Sequence, residues 1–316
     1  MHPAYSVIFF TTASGAGYGL MIWMPVLLAL GWIPDDPLFG LAGFAAALGL
    51  VTAGLLSSTF HLGRPERAWR AMSQWRSSWL SREGVIAIVT YIPTGLFAAG
   101  WVFLGETGGY YLGIGLVGAV LCLVTVYCTA MIYASLTAIH AWCNGWTIAC
   151  YMILSPMTAA LAINALDHIW RFGETGSFSA VVVVVLLAGY GIKRAYWRYI
   201  DGTHAESNAE TATGLGGIGK VRLFQGPHTE QNYLNKEMGY RIARKHARRL
   251  RLIAGVLGFQ LPFLLTLFSL ALPGWIGSIA AIAAFAVGAV GIVVERWLFF
   301  AEAKHVVNLY YGASEA

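Results

Sequence analysis

Eight long apolar segments, each about the length of a membrane-spanning helix, divide this sequence from one end to the other. They cover roughly residues 5–31, 38–60, 84–104, 111–136, 147–166, 178–199, 252–270 and 275–294. About 20 residues of helix cross the ~30 Å hydrocarbon layer of a bilayer. The runs are continuous rather than alternating, which favours helices over a membrane β-barrel. The sequence therefore predicts an all-α polytopic membrane protein, a bundle of eight transmembrane helices forming one domain over residues 1–316.

Composition agrees with a membrane location. Of the 316 residues, 58% are hydrophobic and 11% are charged, whereas soluble domains carry about 25% charged residues. The net charge is +5, and the positive residues lie between the apolar runs. This pattern favours membrane lipid or an acidic protein as a partner, with no nucleic acid. The four cysteines have no C-x-x-C spacing and are expected to be small apolar helix residues: Cys122, Cys128, Cys143 and Cys150.

Ionisable residues are scarce within the apolar runs. The sixth span reaches residue 199 if Lys193 and Arg194 extend their charged ends to the membrane surface. We expect the remaining ionisable residues to lie near span ends, namely Glu83, Asp167, Glu295 and Arg296. This argues against an ion pump, and a small-solute transporter remains an alternative.

Tryptophan recurs close to the predicted span ends. Such residues form aromatic belts at both membrane interfaces. We expect this role for Trp32, Trp101, Trp142, Trp146, Trp170, Trp197, Trp275 and Trp297.

Lysine and arginine are distributed very unevenly between the two faces. One face carries five in residues 61–83, twelve in residues 193–251 and two near the C-terminal end, while the other has only Arg171. By the positive-inside rule, the first face is cytoplasmic. We therefore expect a protein of the cytoplasmic (inner) membrane, with both termini cytoplasmic and residues 5–31 retained as the first span.

The segment that links the second and third spans contains the most informative residues. His61, Arg64 and Pro65 form an H-x-x-R-P run, and Glu83 follows at the third span. Reduction of a quinone moves two electrons and two protons, and histidine with a nearby carboxylate can transfer those protons near neutral pH. By chemistry alone, His61 is equally compatible with a histidine that faces lipid headgroups. The arginines and tryptophans of this segment also fit ordinary interface anchoring.

Three stretches, HPAYSVIFFTTASGAGYG, FHLGRPERAWRA and WLSRE, resemble the membrane anchor subunits of the dimethyl sulfoxide reductase family. The eight-span layout is similar along the whole chain, and the specific motifs lie in its first third. The resemblance implies a non-catalytic anchor that exchanges electrons with quinone, either ubiquinone or menaquinone. It also implies two partners, a molybdopterin catalytic subunit and a ferredoxin-like iron–sulfur subunit, which would hold the molybdenum cofactor and the iron–sulfur clusters.

The resemblance also assigns candidate quinone-binding residues. His61 corresponds to the family's quinone-site histidine and Glu83 to its acidic residue at the start of the third span. Arg64 and Ser81 are adjacent candidates. His140 ends the fourth span on the same face and is either a further candidate or a solvated interface histidine.

The direction of the reaction depends on sidedness. The motif loops lie on the positive face and the sixth loop is long and basic, so the chain resembles the anchors of sulfite-oxidising members, which pass electrons from sulfite to quinone. One alternative is the anchor of a dimethyl sulfoxide, S-oxide or N-oxide reductase that oxidises menaquinol. Another is a structural anchor without a quinone site.

Two further expectations concern partners and cofactors. The basic end of the sixth loop is either a docking surface for a partner subunit on the cytoplasmic side or a helix on anionic lipid, with candidates Arg241, Arg244, Lys245 and Arg248. No haem is expected, because none of the eight histidines lies mid-span.

Overall fold

The fold is described from a computed structural model, which describes residues 3–60, 62–171, 178–226, 230, 232–238 and 242–313. Within these residues the chain is helical without strands, and eight helical segments are long and apolar enough to span a membrane. The prediction of an all-α polytopic membrane protein is confirmed.

The helices follow one another along the chain with short connections, apart from the sixth loop. The first six are α1 (Tyr5–Ala29), α2 (Pro37–Thr59), α3 (Trp79–Ala99, extended by a π turn over Gly100–Leu104), α4 (Gly109–Ala134), α5 (Gly145–Trp170) and α6 (Phe178–Gly202). Short helices α7 (Ala209–Thr213) and α8 (Tyr233–Met238) lie in the sixth loop. The last two spans are α9 with α10 (Ile242–Gly255 and Leu261–Ala271, joined by a π turn over Val256–Gln260) and α11 (Trp275–Ala301).

Polar side chains fix the start of two spans. Asp36 precedes α2 and its Oδ1 accepts the backbone N–H of Leu38 at 2.8 Å, with Pro37 at the first helical position. Asn144 precedes α5 and accepts the N–H of Thr147 at 3.1 Å. Both caps satisfy N–H groups that have no partner inside the helix.

The third span begins earlier than its hydropathy indicates. Helix α3 starts at Trp79 rather than near residue 84, so Ser81 and Glu83 lie inside the helix. Arg82 holds this start against the preceding loop, donating from its guanidinium to the carbonyl oxygens of Trp75 at 3.0 Å and Arg76 at 2.7 Å. Polar residues in the first turns of α3 lower the local hydropathy. A span start predicted from hydropathy therefore falls several residues after the true start of the helix.

Helices α1 and α5 occupy the centre of the bundle. Helix α1 packs against α2, α4 and α5, and α5 packs against α6 and α11. Glycine permits the closest approach: a Cβ on Gly17 of α1 would lie 2.6 Å from the carbonyl oxygen of Ala47 on α2. Likewise, a Cβ on Gly291 of α11 would overlap the backbone of Gly258. Small residues at such crossings let membrane helices pack by van der Waals contact.

Three of the tryptophans expected in the aromatic belt are buried inside the protein, so that prediction is wrong for Trp101, Trp142 and Trp197. The ring of Trp101 contacts Phe97, with centroids 5.8 Å apart. Trp142 stacks on Phe299 at 5.5 Å and donates its indole N–H to the carbonyl of that residue at 2.9 Å. A tryptophan near a span end faces lipid only when that side of its helix is uncovered.

Candidate functional site

The predicted site residues of the second loop have different environments. His61 lies outside the described residues. Arg64 is exposed and precedes a 3-10 helix, Pro65–Gln74, which packs against α3. Ser81 and Glu83 are buried, with 1% and 4% of their surface exposed. Helix α3 therefore turns these two polar residues into the bundle and not toward headgroups.

Glu83 is a buried carboxylate with a polar partner on the neighbouring helix. The hydroxyl of Thr129 on α4 donates to its Oε1. In the part of the chain that the structure describes, no lysine, arginine or histidine forms an ion pair with it. Burial of an unpaired carboxylate in a membrane is costly, which marks Glu83 as a functional candidate.

A polar cleft lies beside Glu83 between α1, α4, α5 and α11. Its cavity volume is about 20 Å³, room for about one water molecule. The Glu83 carboxylate is within electrostatic range of the hydroxyls of Tyr18, Tyr133 and Tyr151. The polar residues that line the cleft are Thr11, Thr12, Ser14, Tyr18, Thr129, Tyr151, Ser155, Thr158 and Arg296.

One hydroxyl in the cleft has no partner among the described residues. The hydroxyl oxygen of Tyr18 is buried without a hydrogen bond to any of them, whereas the Tyr151 hydroxyl has Arg296 and Tyr133 as polar neighbours. The Arg296 guanidinium lies 4.0 Å above the ring of Tyr151, and Tyr133 stacks on that ring at 5.7 Å. Unpaired buried donors are rare in folded proteins, so a water in this cleft is the group suited to pair with the Tyr18 hydroxyl.

A buried cluster of charges adjoins the cleft at Arg296. Lys193 on α6 forms an ion pair with Glu295 on α11, and a guanidinium nitrogen of Arg296 lies 3.7 Å from the second Glu295 oxygen. The Lys193 ammonium also lies 4.1 Å from the centre of the Tyr196 ring. The cluster contains two cations and one carboxylate.

This cluster corrects one sequence prediction. Lys193 is 1% exposed and does not extend to the membrane surface, because Glu295 offers it a partner inside the bundle. Arg194 is exposed, as predicted. Glu83, Glu295 and Arg296 lie near the ends of α3 and α11, as expected, and all three are buried inside the protein. Opposite charges in two apolar spans were the signal in the sequence that could have revealed the pair.

His140 lies in a different part of the molecule from the cleft. Its Nε2 is 2.8 Å from the Thr203 hydroxyl, and its ring stacks on Tyr199 at 5.9 Å. It lines a second cavity, of about 320 Å³, together with Asp201 and Arg251. The structure does not bring His140 to the cleft that Glu83 adjoins.

The proposed docking residues are only partly described. Arg241 lies outside the described residues, and Arg244 belongs to α9, of which only the backbone is described at that position. Lys245 and Arg248 on the same helix are exposed. Arg251, one turn further, is held between Asp201 at 2.7 Å and Glu302 at 2.9 Å.

Comparison with known proteins identifies a family and a relative. A family model described as DMSO reductase anchor subunit (DmsC) matches residues 1–211. A sulfite dehydrogenase subunit of Allochromatium vinosum (strain ATCC 17899 / DSM 180 / NBRC 103801 / NCIMB 10441 / D) is 35% identical over 326 aligned residues, which cover 98% of this chain and 99% of the relative. The chain therefore belongs to the family of DMSO reductase anchor subunits, and it is a multi-pass membrane protein of that family.

Proposed function

We propose that this chain is the quinone-reactive anchor subunit of a molybdenum–iron–sulfur oxidoreductase that passes electrons from sulfite to the quinone pool. The similarity to a sulfite dehydrogenase subunit over almost the whole chain supports the choice of substrate. The buried Glu83 beside a polar cleft is the observation that carries the quinone site. The chain is non-catalytic by itself, since sulfite is oxidised in the partner.

The reaction at the anchor is reduction of a quinone by two electrons and two protons to the quinol. Glu83 exchanges a proton with a quinone oxygen, and His61 is the second proton-transfer group. Ser81, buried two residues earlier on α3, orients this end of the site. Arg64 attracts the headgroup from the exposed loop. Transfer by a positioned acid or base contributes about 10²–10⁴-fold to such rates.

Electrons reach the quinone from partner subunits on the cytoplasmic side. A molybdopterin subunit oxidises sulfite, and a ferredoxin-like iron–sulfur subunit transfers the electrons to the anchor. The exposed Lys245 and Arg248 form part of its docking surface on α9, in a protein of the inner membrane with both termini cytoplasmic. No haem is required in this route.

The direct test is affinity purification of the chain from its native membranes in mild detergent, followed by a sulfite-to-decylubiquinone assay. We expect molybdenum and iron–sulfur subunits to copurify and quinone to be reduced only when sulfite is present. Purification of the chain without partners would contradict the anchor role.

The matching family model favours one second candidate, because it describes anchors of DMSO reductase. In that case the complex oxidises menaquinol and reduces dimethyl sulfoxide or a related S- or N-oxide. Incubation of the purified complex with a reduced menaquinone analogue and dimethyl sulfoxide separates the two. Quinol oxidation under these conditions, without sulfite-dependent activity, would establish the second candidate.

A further inference from the structure

The loop between α2 and α3, residues 62–78, is held against the part of α3 that contains Glu83. Arg82 donates to two backbone carbonyls of the loop. Met72 lies against Gly84, where an added Cβ would be 3.7 Å from the methionine Cγ. The loop therefore contacts the residues on either side of Glu83 and adjoins the candidate quinone site.

This loop exposes the residue types that dominate binding at protein interfaces. No residue of its 3-10 helix, Pro65–Gln74, is buried. Trp69 and Trp75 are 63% and 53% exposed, and the guanidiniums of Arg70 and Arg76 lie 5.5 and 5.6 Å from the centres of their rings. Tryptophan and arginine are enriched among the residues that contribute most to protein–protein affinity.

The charge of the loop specifies the kind of partner. It contains four arginines and one glutamate. Arg67 lies 3.9 Å from Glu66, whereas Arg64, Arg70 and Arg76 form no ion pair with any residue that the structure describes. Complementary charge guides association and suppresses wrong partners, so this surface suits an acidic one.

Lipid headgroups fit the loop less well than a protein does. A helix that lies on a membrane presents a continuous apolar side to the hydrocarbon. Met72 is one 3-10 turn from both Trp69 and Trp75, and it faces α3 instead. Each of the two indoles also has a guanidinium over its ring. The loop therefore has no uninterrupted apolar side.

The position of Glu83 restricts where an electron donor can dock. Electron transfer slows steeply with distance, so the donating cluster must approach the quinone near Glu83. Helix α9, which carries Lys245 and Arg248, packs against α11, whereas the 62–78 loop packs against α3. Of these two basic surfaces, the loop is the one that adjoins the quinone site.

We propose that residues 62–78 are the surface on which an acidic face of the iron–sulfur subunit docks and delivers electrons. The inference rests on the proposed function and adds the place where electrons enter the anchor. A reduced cluster of the partner is oxidised one electron at a time, and two electrons with two protons convert the quinone to the quinol. Lys245 and Arg248 hold a second part of the same partner.

The test is site-specific photocross-linking, with irradiation in membranes before the complex is purified in mild detergent. Photoreactive p-benzoylphenylalanine replaces Trp69 or Trp75 in the loop. The matched control is the same replacement of Tyr110, an aromatic residue that is 77% exposed at the start of α4 on the opposite face. We expect positions 69 and 75 to cross-link to the iron–sulfur subunit and position 110 to cross-link to neither partner.

Other cross-linking results would overturn the inference. Cross-links from positions 69 and 75 to lipid alone, or to the catalytic subunit alone, would show that the iron–sulfur subunit docks elsewhere. If the same complex still reduced quinone with sulfite, the proposed function would stand. If neither partner copurified with the chain, both the inference and the proposed function would fail.

A second measurement tests the charge of the loop. We expect Arg70→Glu to weaken binding of the iron–sulfur subunit to the detergent-solubilised chain by about tenfold, as loss of an interface arginine does. Lys220→Glu reverses an exposed cation of the sixth loop and should leave binding at the native level. Equal losses in the two variants, or native binding by Arg70→Glu, would contradict docking through the charge of this loop.

Discussion

At the scale of single residues, the Thr129 hydroxyl donates a hydrogen bond to the Glu83 carboxylate and also lines the cleft. A carboxylate that transfers protons must be held in one orientation, and a hydroxyl from the neighbouring helix supplies that constraint. The geometry at Glu83 therefore depends on the packing of α3 against α4.

Substitution at Thr129 tests this dependence. Thr129→Val removes the hydroxyl at nearly constant volume, so we expect sulfite-dependent quinone reduction to fall by about tenfold, a loss typical of one misplaced catalytic contact. Thr129→Ser keeps the hydroxyl and should keep most of the activity. Thr266→Val is the matched control, a buried threonine of α10 whose hydroxyl donates to the carbonyl of Pro262. Equal losses at positions 266 and 129 would contradict a specific role for Thr129.

At the scale of elements, the ion pair between α6 and α11 balances the charges of two helices inside the membrane. Glu295→Gln leaves Lys193 and Arg296 as two buried cations without a carboxylate. Loss of one partner from a buried pair costs about 3–5 kcal/mol. We therefore expect Glu295→Gln to lower the melting temperature of the complex in detergent more than Lys193→Met, which leaves Glu295 with Arg296. A larger fall in melting temperature for Lys193→Met than for Glu295→Gln would contradict the role of Glu295 in neutralising two buried cations.

The C-terminal turn provides a pH-dependent test outside the spans. His305 precedes the 3-10 helix Val306–Tyr311, and its Nδ1 accepts the N–H of Val307 at 3.0 Å. Burial lowers the pKa of His305, because the neutral form is favoured in the folded chain. Its stabilising effect is therefore present above the unfolded pKa of about 6.5 and is lost as the pH falls through the lower folded pKa.

Hydrogen exchange, corrected for intrinsic rates, measures that effect directly. Protection of residues 306–311 should decrease as the pH falls below about 6.5, as the ring nitrogen gains a proton and cannot accept. In His305→Asn the cap does not titrate, so the change should be absent. Equal pH dependence in both proteins would assign the transition to another group.

At the scale of the whole molecule, hydropathy predicts the eight spans because lipid-facing helices must be apolar over most of their surface. It does not predict which polar residues turn inward. Glu83, Lys193 and Glu295 come from three helices, and their partners are fixed by packing between segments far apart in sequence. Of the polar residues at the cleft, the sequence predicted only Glu83. Tyr18, Tyr151 and Arg296 belong to no local motif, so nothing in the sequence groups them with it.

The predicted sidedness is tested by cysteine labelling. Three of the native cysteines are buried, and Cys143 can be replaced by serine to remove the partly exposed one. In that background, Lys220→Cys in the sixth loop and Glu106→Cys between α3 and α4 are both exposed positions. A membrane-impermeant maleimide should label position 106 on intact spheroplasts and position 220 only on inverted vesicles. The opposite labelling pattern would contradict the predicted sidedness, because it would place the sixth loop outside the cytoplasm.

The central claim is that this chain contains the quinone site of a sulfite-oxidising complex. Rapid mixing of the purified complex with sulfite and decylubiquinone tests it most directly, because it follows iron–sulfur reduction and quinone reduction separately. We expect sulfite to reduce the clusters of the native complex and of its Glu83→Gln variant equally fast, with quinone reduction slowed by about 10²-fold or more in the variant. Quinone reduction at the native rate by Glu83→Gln would contradict the account.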